Sequence, residues 1–206
     1  AVVRHLTRAM TRVDRIEAGI APSPYAGVGL NVIRAIASYA GKPVRIMENG
    51  ARIGRPGFVD SRRMTIAVPG TVPLPPIRFG LAEVPDLETL AKDWPAARDI
   101  WMGAGPTPAA LHRLLWAAGK LVHWRVLPSL APLAQLMHRV INTVRWGEHR
   151  GGMMVAVTGQ GAEGVETRSW HLLAEGERGP FIPSMGAEAL IRQAVDGRTP
   201  RPGARS

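Results

Sequence analysis

The 206-residue chain has no cysteine, which excludes disulfides, thiolate catalysis and Cys-based zinc or iron–sulfur sites. Aromatic residues make up only 5%, and most are tryptophans in apolar segments, so a stacking platform for single-stranded nucleic acid is hard to build. Acidic residues are scarce as well: Asp+Glu number 16 against 26 Lys+Arg, leaving a formal charge of +10. The basic residues lie singly or in pairs such as Arg62-Arg63 rather than in a run. That pattern speaks against a nucleic-acid-binding arm and reads as a solvated surface, with an anionic membrane or cofactor as the alternatives. No apolar stretch is long and free of charge. The most apolar one, Leu114 to Met137, carries Lys120, His123 and Arg125 and contains Pro128 and Pro132, whereas a spanning helix needs about twenty mostly uncharged residues. An amphipathic helical pair on a membrane surface survives that test, because Trp116 and Trp124 stand among basic residues.

What is present suffices for a folded domain: hydrophobic residues make up 46%, enough for a core. The opening Ala-Val-Val-Arg-His-Leu-Thr-Arg has neither initiator Met nor signal-peptide apolar region. It reads as a helix entered part-way, and the chain as a fragment of a longer, cytoplasmic protein. Val13 to Ile20 alternates as a strand and delivers the turn cluster Ala21-Pro22-Ser23-Pro24-Tyr25-Ala26-Gly27. Gly29 to Ala40 has helical spacing, stopped by Gly41 and Pro43. Val44–Met47, Met64–Val68, Arg78–Val84 and Asp99–Met102 read as strands, with Asn49-Gly50 a tight turn and Leu87–Trp94 a helix. Thr107 as N-cap and Pro108 at the first helical position start a helix to about Val126, followed by a partner from Ser129 to Trp146. Met153–Thr158 and Val165–Ala174 form a hairpin, and Met185–Val195 a last helix. Strands and helices do not alternate strictly. The expectation is therefore one α+β domain over residues 1–197, a mixed or antiparallel sheet covered by helices with a long apolar helical pair, and a Pro/Gly/Arg tail at 198–206.

Three glycine-bearing stretches invite comparison with phosphate loops. Gly27-Val28-Gly29 lacks the third glycine of the dinucleotide fingerprint, Gly103-Ala104-Gly105-Pro106 puts proline where an amide is needed, and Gly159-Gln160-Gly161 falls in a hairpin turn. The fragment alone is thus not expected to bind NAD or NADP. The first stretch opens a helix whose free amides favour an anion. Ser23, Tyr25, Gly27, Gly29 and Asn31 are accordingly the expected substrate-binding residues, with close backbone approach at the glycines and hydrogen-bonding side chains beside them. The segment holding Arg145, Glu148, His149 and Arg150 is a second polar cluster, suited either to proton transfer beside cations or to an ion-pair knot at a helix end. No Gly-x-Ser-x-Gly elbow or His-Glu-x-x-His occurs, and no metal site is expected. His112 and His123, on a helix rich in leucine and tryptophan, read as surface or hydrogen-bonded histidines.

The series Gly147-Glu148-His149-Arg150-Gly151-Gly152-Met153, Ser169-Trp170-His171-Leu172-Leu173-Ala174-Glu175-Gly176, Gly179-Pro180-Phe181-Ile182-Pro183-Ser184-Met185 and Pro202-Gly203-Ala204 resembles the end of bacterial saccharopine dehydrogenase-like proteins. Gly19-Ile20-Ala21-Pro22-Ser23-Pro24 leading to Gly27-Val28-Gly29-Leu30-Asn31 resembles the segment that follows their cofactor domain. The resemblance implies an N-terminal Rossmann partner that binds NAD or NADP, a mixed-sheet domain here that contacts a small-molecule substrate, and a homodimer interface. It transfers no reaction, since no catalytic motif of the characterised enzymes is present. The competing class is a non-catalytic interaction or membrane-surface module, and nucleic acid is not an expected partner.

Overall fold

The computed structural model describes residues 1–106, 108–143 and 145–198. Helix α1 (Val2–Leu6) leads into strand β1 (Arg12–Ala21). Then come α2 (Leu30–Tyr39), β2 (Pro43–Glu48), β3 (Ala51–Pro56), β4 (Ser61–Met64), β5 (Ile77–Leu81), α3 (Asp86–Asp93) and β6 (Asp99–Ala104). Helices α4 (Ala109–His123) and α5 (Ala134–Thr143), strands β7 (Gly151–Gly161) and β8 (Gly164–Ala174), and helix α6 (Ile182–Val195) follow. The strands form one sheet of order β3-β2-β6-β1-β7-β8, with the short β4–β5 pair joined to β6. Among the described strands only β1 and β6 pair in parallel, so the sheet is mixed.

β1 lies in the interior because it is apolar at Val13, Ile16, Ala18 and Ala21 and is hydrogen-bonded along its length to β6 and β7. The β2–β3 hairpin turns on Asn49 and Gly50, both left-handed at φ 53 and 81, as a type I′ turn requires. β3 was not expected from its sequence: Ala-Arg-Ile-Gly-Arg-Pro pairs only with β2 and holds a proline, the composition of an edge strand. The expected strand Met64–Val68 ends instead at Met64. Met64 pairs with Ile77, so the next positions would face Pro76 and Pro75, which have no N–H to donate.

Two cores result. The larger packs the sheet against α1 and α3 around Trp101, Ile16, Ile100 and Phe79. The smaller belongs to the helices: Ile33, Ala37 and Ala40 beside α2, Val122 of α4, and Leu130 and Ala134 at the start of α5. The long apolar helical pair does not form. α4 stops at His123, Arg125 takes a left-handed φ of 61, and a 3-10 turn containing Pro132 precedes a ten-residue α5, which packs on α2. Prolines cannot continue the hydrogen-bond ladder of a helix, and so the connection stays irregular. α4 reaches the rest of the molecule through glycine: Gly41, at φ 79, has so little room that a Cβ there would lie 2.2 Å from the Gly119 carbonyl. Among the described residues no helix is long and apolar enough to cross a membrane. Thr107, the expected N-cap of α4, and residues 199–206 of the expected tail lie outside the described residues; Pro108 occupies the cap position.

Candidate functional site

The parallel strands β1 and β6 end side by side, at Ala21 and Ala104. Two clefts open there and share Ala21 as a wall. The first, about 470 Å³, lies between the Leu74–Arg78 segment, the start of α4 and the segment before β7. It is lined by Arg63, Arg78, Arg113 and Arg150, with Glu148 the one carboxylate among the described residues. The second, about 410 Å³, is walled almost entirely by apolar groups and glycines from the loop after β1, the start of β7, the end of β8 and the residues around Pro180.

The expected substrate loop divides between structural and open roles. Ser23 is buried; its hydroxyl accepts the Tyr25 N–H at 3.2 Å and lies 3.5 Å from the Glu148 carbonyl. Its side chain is thus used in shaping the turn. The Tyr25 ring stacks on His149, with centroids 3.7 Å apart and planes 13° from parallel. Pro22, Ser23, Ala26 and Gly27 line the apolar cleft, whereas Tyr25, Gly29 and Asn31 line neither cleft. Asn31 is exposed and accepts from the Arg34 guanidinium at 3.4 Å, and Gly29 caps α2 with open space where a Cβ would be.

The second expected cluster comes to the same place. Glu148 and Arg150 form an ion pair, and Arg150 also donates to the Val72 carbonyl at 2.6 Å. Arg145 is exposed, away from both clefts. The loop after β1 and the segment 147–152 meet because Gly151 has no side chain: a Cβ there would sit 2.6 Å from the Ser23 amide. Ser23 and Tyr25 of the first cluster and Glu148 and His149 of the second therefore meet at one rim, while Gly29, Asn31 and Arg145 lie outside both clefts.

Two contributors escaped sequence reasoning. Asn142 of α5 holds the loop from the far side. Its carboxamide oxygen accepts the Val28 N–H at 3.0 Å, and its NH₂ donates to the Val28 carbonyl at 3.1 Å. His112 is the other. Instead of lying at the surface or finding partners, it is 2% exposed, lines the arginine-bearing cleft, and has no hydrogen bond at either ring nitrogen among the described residues. Burial, with Arg78 nearby, pushes its pKa down to about 4, so it is neutral at physiological pH. Linear spacing offers no sign of either residue, since only the fold brings Val28 to Asn142 and puts Arg63 and His112 on one cleft.

No protein-family model and no curated protein sequence matches the chain. Among solved structures it is similar to the apo histidine-tagged saccharopine dehydrogenase (L-Glu forming) from Saccharomyces cerevisiae. The TM-score is 0.55 at 10% identity, over 98% of this chain and 63% of that one. The chain has a saccharopine dehydrogenase-like fold, and it spans less than two thirds of the length of that protein.

Proposed function

We propose that this chain is the C-terminal, substrate-side and dimerisation domain of a saccharopine dehydrogenase-like NAD(P)-dependent oxidoreductase, acting beside a Rossmann domain that binds NAD or NADP. The observation that supports this reading most is the fold similarity to the yeast enzyme over 98% of the chain, joined to paired clefts at the ends of β1 and β6. Fold alone does not specify chemistry. The rim adds the chemistry: it brings a tyrosine, a histidine and an arginine–glutamate pair to one edge of a concave site, the inventory needed to position a polar substrate. In this arrangement Ser23 and Gly27 hold the turn at the cleft wall and the stacked His149 orients the Tyr25 phenol, while Tyr25, Asn31 and the amides near Gly29, which line neither cleft of this chain, meet substrate where the cofactor domain completes the site.

The test is kinetic, in the full-length protein with its cofactor domain. Tyr25→Phe and Asn31→Ala are expected to lower kcat/KM by about tenfold each, the value of one lost hydrogen bond to a reacting ligand, with cofactor affinity unchanged. Wild-type kinetics in both variants would remove the loop from the substrate site.

A second reading, a non-catalytic module that associates with itself or with a membrane surface, is favoured by apolar side chains left open on the helices. Leu114, Trp124 and Leu136 are exposed, as are Phe181, Met185 and Ile191 at α6. Co-sedimentation with anionic liposomes, without turnover of any substrate, would support it. Sedimentation as a strict monomer would argue against self-association through Leu111 to Val140.

A further inference from the structure

We infer that the arginine-bearing cleft binds the carboxylate of an amphiphilic organic acid, whose hydrocarbon chain continues past Pro106 into the groove between α4 and α5. The assignment stands apart from the oxidoreductase reading, because it concerns binding by this chain's own residues.

Charge makes the first part of the case. Arg63 comes from β4, Arg78 from β5, Arg113 from α4 and Arg150 from the segment before β7, so four separate elements converge on one cleft. Arg150 is already engaged by Glu148 and the Val72 carbonyl. Arg78 donates to the Ser61 hydroxyl at 3.1 Å, but neither it nor Arg63 nor Arg113 has a carboxylate partner among the described residues. Three uncompensated guanidinium groups around one concavity repel each other, and an anion among them removes that repulsion.

His112 points to a ligand independently. It is almost fully buried at the cleft wall, and both ring nitrogens are without partners among the described residues, a condition folded proteins seldom leave unresolved. Kept neutral by burial and by Arg78, it offers one N–H to an acceptor without adding a further charge. The start of the fifteen-residue α4 borders the same space and contributes the partial positive charge of its first turn.

The remaining wall decides the class of anion. Leu74, Pro75, Pro76, Ile77, Pro106 and Pro108 are hydrocarbon surface, which a small inorganic anion or a short polyacid leaves wet. Pro106 also borders a groove of about 230 Å³ between α4 and α5 with walls of leucine, methionine, valine and isoleucine. A carboxylate with an alkyl chain satisfies both regions at once.

The test uses the full 206-residue chain, ¹⁵N-labelled at histidine, titrated with octanoate and followed by NMR. Saturable binding that shifts the His112 ring nitrogens is expected, roughly tenfold or more tighter than butyrate, since each buried methylene is worth up to about fourfold. The double variant Arg78→Gln/Arg113→Gln should weaken octanoate by roughly tenfold or more. Leu136→Glu should abolish the advantage over butyrate while leaving butyrate binding intact. These three side chains are exposed, so the variants should keep the parent melting temperature. The proposal is overturned if octanoate does not saturate, if octanamide binds equally well, if phosphate or glutarate binds as tightly, or if the arginine variant binds undiminished. Because the readout needs neither cofactor nor turnover, a negative result leaves the oxidoreductase reading standing, and absent turnover leaves this one standing.

Discussion

The sheet and the helical layer both carry much apolar sequence, yet they use it differently. In the sheet, β1 is bonded on both edges, and the side chains of Ile16, Ile100 and Trp101 are wholly buried. In the helical layer a small set of buried residues suffices to hold α2, α4 and α5 together, while Leu114 and Leu136 remain 64% and 57% exposed. The contrast teaches that apolar content does not locate stability. Mutual burial does, and the helices spend much of their apolar surface on an open face.

The largest expected effect tests that division. Trp101→Ala removes a fully buried ring whose indole N–H donates to Asp60 at 3.3 Å, and it should cost about 3–5 kcal/mol. Leu130→Ala in the helical core should fall near the low end of the large-to-small range, about 2 kcal/mol, because a thin core can collapse around the gap. Equal losses in chemical denaturation would break the comparison.

Next in size is a pH effect confined to the boundary between the two regions. The folded pKa of His112, about 4, lies below its ordinary 6.5, so as pH falls the unfolded chain takes up this proton first. The stability it confers is complete above about pH 6.5 and is lost progressively towards pH 4, by at most about 3 kcal/mol. Denaturation midpoints across that window should show the slope, and His112→Gln should flatten it.

Asn142→Ala should cost about 1–2 kcal/mol, the value of leaving a half-buried amide unpaired. Hydrogen exchange at Val28 should quicken much more than exchange at Val157 in the sheet. The smallest effect belongs to the open face: Leu136→Ser should change stability by no more than about 0.5 kcal/mol. A larger loss would mean that the face is covered in solution.

Legibility followed the range of the forces. Asn49-Gly50 announced its hairpin because the left-handed conformation is a property of two adjacent residues. The alternation of β1 and the spacing of α2 were readable for the same reason. β3 was not, since an edge strand needs no apolar period, and the end of β4 was not, since it depends on which prolines stand opposite. At the site, Ser23 and Glu148 were each legible as members of polar clusters. That they share one rim was not.

The exclusions and the local units were readable along the chain: no thiol chemistry, no dinucleotide fingerprint, an α+β composition, and most turns and helices. It also held the resemblance that the fold comparison bears out. Only the folded chain breaks the helical pair, packs α5 on α2, and brings four arginines from four elements to one cleft with a buried histidine that has no partner among the described residues. Backbone preferences act between near neighbours and are written in short patterns. Burial and charge act between residues such as Arg63 and Arg113, fifty positions apart in sequence, and exist only once the sheet has brought them to the same cleft.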